Sequence, residues 1–365
     1  MNEPVHTSDT KKSPRHCSLN RRRFLSGLAA VGWCSQNWLV PHAAALDKPE
    51  PFVQTVTGPI PAAKLGRTLV HEHVMCDFVG AGQTGRHRWD VDTVVKRMLP
   101  YLRELRDRGF TGFVDCSPAF IGRDPRVLKQ LAEATGLHLI TNTGYYGGAN
   151  DKFVPPHAYD ESADQLAGRW TAEWERGIED TGVKPGFLKI GVDEVKGDSV
   201  RLSEIDEKLV RAAAITSGRT GLSVTCHTGG GPAGLAATRL FAEQGGMPSR
   251  FVVAHSDSHG LSFNQQIAEL GAWVSFDAVS RRPLEQHLKL VAALLEKHAG
   301  RLLLSQDNGW YNVGQEDGGE VRGFTYLNDT LLPALRAAGV AQAAIDRLTI
   351  QNPAQVLGIT PLKPR

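Results

Sequence analysis

Short β-rich runs return at regular intervals along the chain, each followed by a longer amphipathic stretch, and this alternation limits the possible folds more than any other feature. The runs are 67–73 (RTLVHEH), 109–117 (GFTGFVDCS), 137–144 (LHLITNTG), 186–193 (GFLKIGVD), 221–229 (GLSVTCHTG), 250–257 (RFVVAHSD), 272–279 (AWVSFDAV) and 301–309 (RLLLSQDNG). Between them lie helix-like segments at 90–109, 124–136, 160–182 and 202–221. The second of these opens with Asp-Pro and closes with Gly, as helices tend to. Strands separated by helices must run parallel, because each crossover needs a helix to return the chain to the same edge. The runs are continuously apolar rather than alternating, which predicts burial on both faces. Eight such units predict an α/β fold of the TIM-type (β/α)8 barrel class over about residues 52–360. A doubly wound open sheet is the alternative; it calls for a Gly-rich turn after the first strand, where this chain has HEHVMCDF.

Residues 1–45 form a different kind of segment. NRRRFLSG carries an arginine pair (Arg21, Arg22) with Phe24 and Leu25 behind it, followed by a modest apolar stretch and small residues at Ala43, Ala44 and Ala45. That layout predicts an exported protein whose leader is of the twin-arginine type, handled by the twin-arginine machinery and delivered to the periplasm. The domain proper is then 46–365. The leader holds six Lys/Arg and two Asp/Glu, so the remainder is nearly neutral, with 35 basic against 37 acidic residues. No basic block points to nucleic acid, and no apolar run after residue 45 is long enough to span a membrane. Cys76, Cys116 and Cys226 are widely spaced and odd in number, which argues against a disulfide framework and for small buried residues.

In a barrel of this class chemistry gathers at the C-terminal ends of the strands. The first run ends in His71 and His73, the fourth carries Lys189, the fifth ends in His227, the sixth in His255 and the eighth in Asp307. Residues two apart on a strand share a face, so His71 and His73 are predicted to look into the barrel with Glu72 turned away. Four imidazoles and a carboxylate suit Zn2+ or another first-row divalent ion (Mn, Co or Fe). A lysine belongs in such a set only as a neutral amine, or as a carbamate made from CO2, and burial favours the neutral form. No G-x-S-x-G elbow or HExxH motif is present, so a Ser nucleophile of that type and a zincin site are not indicated. The aromatic residues Phe78, Tyr145, Tyr146, Trp310 and Tyr311, with Arg281 and Arg282, are the candidate walls of a substrate pocket.

The segments LGRTLVHEHV (65–74), TGVKPGFLKIG (182–191), VTCHTGG (224–230), VVAHSDS (252–258), LLSQDNGWY (303–311) and IQNPAQVLG (350–358) together resemble the phosphotriesterase family of the amidohydrolase superfamily, across roughly residues 52–360. The resemblance implies two divalent ions. His71, His73 and Asp307 would hold the more buried one and His227 and His255 the more exposed one, with a carboxylated Lys189 and a hydroxide bridging them. It also implies a homodimer. Asp307 would take the proton from the attacking hydroxide. Tyr146 falls where lactonase-like members keep a tyrosine, which points to a lactone or other carboxylic ester as substrate. A phosphotriester or an amide is the alternative, and a metal- or ligand-binding barrel without catalysis is the alternative of another class. Two positions depart from the family pattern. Ser258 stands where an acidic residue is common, with Asp257 one place earlier, and Ala278 stands where a His or Arg usually follows Asp277. A relay partner or substrate-contacting arginine is therefore missing or relocated.

Overall fold

The computed structural model describes residues 50–194 and 201–360, so the leader expected over residues 1–45 lies outside the described residues. An antiparallel hairpin of β1 (Phe52–Thr55) and β2 (Gly58–Pro61) precedes the barrel. The barrel strands are β3 (Thr68–Cys76), β4 (Gly112–Asp115), β5 (His138–Ile140) continued by β6 (Asn142–Thr143), β7 (Phe187–Val192), β8 (Val224–Thr228), β9 (Phe251–Val253), β10 (Trp273–Phe276) and β11 (Leu302–Leu304), with β12 (Gly309–Asn312) beyond it. Two parallel ladders, β6 through β11 and β5-β4-β3-β12, share the chain at Ile140–Asn142 and again between β11 and β12. Hydrogen bonds from Asp307 N to His71 O (3.0 Å) and from His73 N to Asn308 O (2.9 Å) close the ring between the last strand and the first. The eight runs read from the sequence are these eight strands, in most cases trimmed by a few residues at their ends.

The crossover helices start and stop on local signals. Asp90 caps α1 (Val91–Asp107) by accepting from Thr93 N, and Asp124 caps α2 (Pro125–Thr135), whose first residue is proline and whose C-terminus ends on left-handed Gly136. After the short α3 (His157–Asp160), Ser162 and Gln165 form a capping box at the start of α4 (Ala163–Arg176). Ser203 caps α5 (Glu204–Thr220). The remaining crossovers are α6 (Gly231–Glu243), α7 (Leu261–Glu269) and α8 (Leu284–His298). Among the described residues no helix is long and apolar enough to cross a membrane.

Inside the ring, Val70, Val114, Ile140, Phe187, Val252, Trp273 and Leu303 form an apolar layer, plugged by Val53 of the hairpin and by Val356 and Leu357 near the C-terminus. Their neighbours Leu69, Phe113, Leu139, Leu188 and Leu302 face outward and pack under the helices. This is the alternation of a pleated strand buried on both sides. Above the layer come Lys189, two residues after Phe187, and Asp307, four residues after Leu303.

Candidate metal centre

Strand β3 does not simply alternate. Its pairing with β4 shifts register between Leu69 and Glu72, and this bulge moves the phase by one residue. Val70 lies in the inner apolar layer, yet His71 and His73 also turn inward above it. Glu72 points the other way but is not solvent-facing. It is fully buried, and its carboxylate accepts from Ser305 Oγ (2.7 Å), Gln306 N (2.9 Å) and Asn308 N (2.8 Å). It therefore fixes the turn that carries Asp307. That turn is sharp: Asp307 has φ 53°, and Gly309, at φ 101°, passes so close to the His73 carbonyl that no side chain would fit. His255, at φ 59°, is also left-handed. Such conformations cost roughly 1–3 kcal/mol each and persist where surrounding contacts impose them.

The structure brings His71, His73, Lys189, His227, His255 and Asp307 around one cleft. His73 Nε2 lies 3.0 Å and His71 Nε2 3.8 Å from Asp307 Oδ1. Lys189, 1% exposed, has its Nζ 3.2 Å from His71 Nε2. The His227 ring meets that of His255 edge-on at 4.5 Å and lies tilted at 4.9 Å from that of Tyr146. The ligand atoms of His71, His73 and Asp307 are close enough to one another to hold one ion, as are those of His71, His255 and Asp277; His227 stands outside both groups.

Hydrogen bonding settles what these atoms are. Asp277 accepts from both His71 Nδ1 and His255 Nδ1, each at 2.8 Å, so that second group is a carboxylate orienting two rings. Ser117 Oγ donates to Met75 O at 2.6 Å and must therefore accept from His73 Nδ1 at 3.0 Å. Burial, reinforced by the Lys189 charge, lowers the His71 pKa to about 4; burial lowers His73 too, and burial with the neighbouring His255 lowers His227 well below the usual value. With the proton of His71 and of His73 on Nδ1, each Nε2 presents a lone pair: that of His73 faces Asp307 Oδ1 at 3.0 Å, and that of His71 lies between Lys189 Nζ at 3.2 Å and Asp307 Oδ1 at 3.8 Å. Burial pushes the Asp307 carboxyl up, but the imidazoles around it outweigh that and hold it far below the usual carboxylate range. Asp307 Oδ1 is a buried oxygen that no hydrogen bond satisfies among the described residues. Lone pairs and an ionised oxygen this close, at 3.0 Å for His73 and 3.8 Å for His71, converge on a point where a cation would meet all three. The donor set thus fits a divalent ion. For His255, burial lowers the pKa but the Asp277 carboxylate more than offsets it, leaving the ring raised.

The walls differ in part from the expectation. Phe78, Tyr146 and Trp310 line the cleft of about 390 Å³, and Arg281 and Arg282 line an adjoining cavity. Tyr146 fits because Gly191 lacks a side chain; a Cβ there would stand 2.8 Å from its ring. Tyr145 is no wall: it is buried against Phe120 and Trp170, with its hydroxyl 3.0 Å from His157 Nε2. Tyr311 likewise points elsewhere, against Gly318. Ile121 and Phe153, absent from the expected set, complete the apolar wall. Phe153 sits in the long segment after the third strand, and an aromatic residue in so unusual a loop was the available signal. In the sequence, Asp277 stands at the end of the seventh run, and that position is the signal for a carboxylate able to orient histidines from neighbouring strand ends. Arg281, three residues after Ala278, pairs its Nη2 with Asp307 Oδ2. Asp257 instead turns inward, to His287 Nε2 at 2.5 Å and to the amides of Asp277 and Ala278.

Comparisons with known proteins agree with this geometry. The family model described as "Phosphotriesterase family" matches residues 51–357. A phosphotriesterase homology protein of Escherichia coli is 30% identical over 296 residues, covering 80% of this chain and 97% of that protein. A phospho-furanose lactonase of Mycoplasmopsis synoviae is 28% identical, covering 84% and 91%. Among solved structures, the organophosphorus hydrolase of Deinococcus radiodurans superposes with a TM-score of 0.75 at 26% identity, covering 85% of this chain and 98% of that one. With a model match spanning nearly the whole barrel, the chain belongs to the phosphotriesterase family.

Proposed function

We propose that the protein is a hydrolase with two divalent metal ions, Zn2+ being the best fit to its imidazole-rich donor set, and that it cleaves a lactone or another carboxylic ester. The observation that carries this reading is the convergence of the His71 and His73 Nε2 atoms on the buried, unsatisfied Asp307 Oδ1. His71, His73 and Asp307 would hold one ion and His227 and His255 the other, with a carboxylated Lys189 between them. When bound, such ions polarise a carbonyl oxygen and bring the pKa of water toward neutrality. The chain supplies the rest. Asp307 takes up the proton of the attacking water at its carboxylate, and Arg281 on Oδ2 keeps that carboxylate ionised beforehand. Burial pushes the Tyr146 phenol pKa far up, so it stays protonated and can donate to an oxygen of the substrate. Phe78, Phe153 and Trp310 exclude water and hold an apolar group. The relative named as a lactonase supports the ester reading, and the solved organophosphorus hydrolase keeps a phosphotriester as the second substrate class. The arginine pair at residues 21 and 22 supports export of the folded, loaded protein to the periplasm by the twin-arginine route, and the family supports a homodimer.

The test is metal content together with turnover of γ- and δ-lactones, aryl carboxylic esters and dialkyl aryl phosphates by the purified chain. Asp307→Asn is expected to lower kcat by roughly a thousandfold or more. A protein that retains no divalent metal and turns over none of the panel would overturn the reading.

A further inference from the structure

The six-residue cluster stands at the seam of two cavities with opposite character. On one side is the apolar cleft of Phe78, Ile121, Phe153 and Trp310. On the other is a cavity of about 530 Å³ lined by Ala278, Arg281 and Arg282, and both share His227, His255 and Asp307. Ala278 opens this second cavity, since its methyl leaves room that a longer side chain would fill. A hydrogen bond from Arg281 N to Ala278 O (2.9 Å) turns the chain so that consecutive arginines stand at the rim. Pro283 follows directly and begins the approach to α8, biasing Arg282 toward extended backbone.

The two arginines of this cavity are not equally engaged. Arg281 spends one guanidinium donor on Asp307 and keeps the others. Asp277 is taken up by His71 and His255, and Asp257 by His287 and two amides. Among the described residues Arg282 makes no side-chain hydrogen bond or ion pair and stands exposed at the rim, so its guanidinium is available to a ligand entering this cavity. The other cation near the cluster's mouth, Lys152, belongs to the apolar cleft, where its Nζ lies 5.5 Å from the centre of the Phe153 ring.

We infer that the substrate is amphipathic, with an apolar group on one side of the scissile bond and, on the other, an oxyanion (carboxylate or phosphate) received by Arg282 and the free donors of Arg281. This rests on the hydrolase reading above. A guanidinium is suited to both anions because its planar fork matches two oxygens at once.

Three esters of matched length distinguish the cases in the metal-loaded full chain: para-nitrophenyl hexanoate, the para-nitrophenyl monoester of adipic acid, and the analogue ending in a phosphonate. The expected result is a higher kcat/KM for an anionic ester than for the neutral one. That ratio should fall about tenfold in Arg282→Ala, chiefly through KM, and recover in part in Arg282→Lys. Whichever anionic ester shows the larger ratio identifies the anion. A wild-type preference for hexanoate, or a ratio untouched by Arg282→Ala, overturns the inference while leaving the hydrolase reading intact. Should none of the esters be cleaved, the hydrolase reading fails instead, and calorimetric titration with glutarate and inorganic phosphate decides the inference. Binding that weakens about tenfold in Arg282→Ala upholds it, and binding that is absent or indifferent to the substitution overturns it.

Discussion

Val70 and His71 are adjacent on one strand and both turn into the barrel, yet they belong to layers that obey different rules. The lower layer, Val70 through Leu303 with Trp273 and Phe187, carries no charge and is sealed by the N-terminal hairpin and the C-terminal segment. Its burial favours folding, at about 25 cal/mol for each Å² of apolar surface removed from water. The upper layer buries His71, His73, Lys189 and Asp307 nearly as completely. Burial there is unfavourable unless partners compensate. The same eight strands therefore hold a stabilising floor and a costly ceiling, and the ceiling is where strained backbone collects, at His255 and Asp307.

If the division is real, the floor should fail by unfolding and the ceiling by losing ligands. Trp273 is fully buried, with its indole donating to Ser249 O at 2.8 Å. Trp273→Ala is expected to cost about 3–5 kcal/mol of stability in a denaturant titration, while the molecules that remain folded keep their metal content. Equal loss of metal per folded molecule would show that the layers are not separable.

The ceiling should also make the metal-free protein sensitive to acid. His71 has its pKa lowered from 6.5 to about 4 by burial first and by Lys189 second. The folded state then binds fewer protons than the unfolded chain, so this contribution is fully present above pH ~6.5 and is lost as pH falls toward about 4. Relative to His71→Asn, the metal-free protein should lose on the order of 3 kcal/mol across that window. Parallel stability curves for the two proteins would break the argument.

The floor was legible in the sequence because its strands are short, continuously apolar runs, a pattern that survives without any knowledge of tertiary contacts. The capping residue Asp124 was legible for a similar local reason. The ceiling was legible only as residue types at strand ends. What escaped was everything decided by a shift of one residue or by a distant partner. The bulge between Leu69 and Glu72 leaves no mark in RTLVHEH, and the burial of Glu72 depends on amides some 234 positions away. The same holds for Tyr145 and Tyr146, adjacent and chemically alike: the missing side chain of Gly191 decides which of them faces the cleft.

Asp277 links the layers, because β10 carries Trp273 on the floor and ends beside the ceiling. Asp277→Asn keeps the shape but replaces one anionic acceptor by a donor, and so can serve only one of the two histidines. Metal affinity, read by competition with a chelator, should fall about 10–100-fold, the usual effect of removing an orienting carboxylate. A change confined to stability would mean that Asp277 holds the strand end and not the rings.

Ser117 gives the smallest effect and the finest test. Its hydroxyl has one proton, already given to Met75 O, so the only role left toward His73 Nδ1 is that of acceptor. That single bond decides which nitrogen of His73 is bare. Removing it in Ser117→Ala leaves the ring free to take the other tautomer, with a proton on Nε2 facing Asp307. The competing tautomer taxes metal binding in proportion to its population, so affinity should drop by less than about tenfold. Ser117→Thr, which retains the hydroxyl, should recover the loss. Identical affinities for the alanine and serine proteins would mean that the proton on His73 is placed by the ion itself.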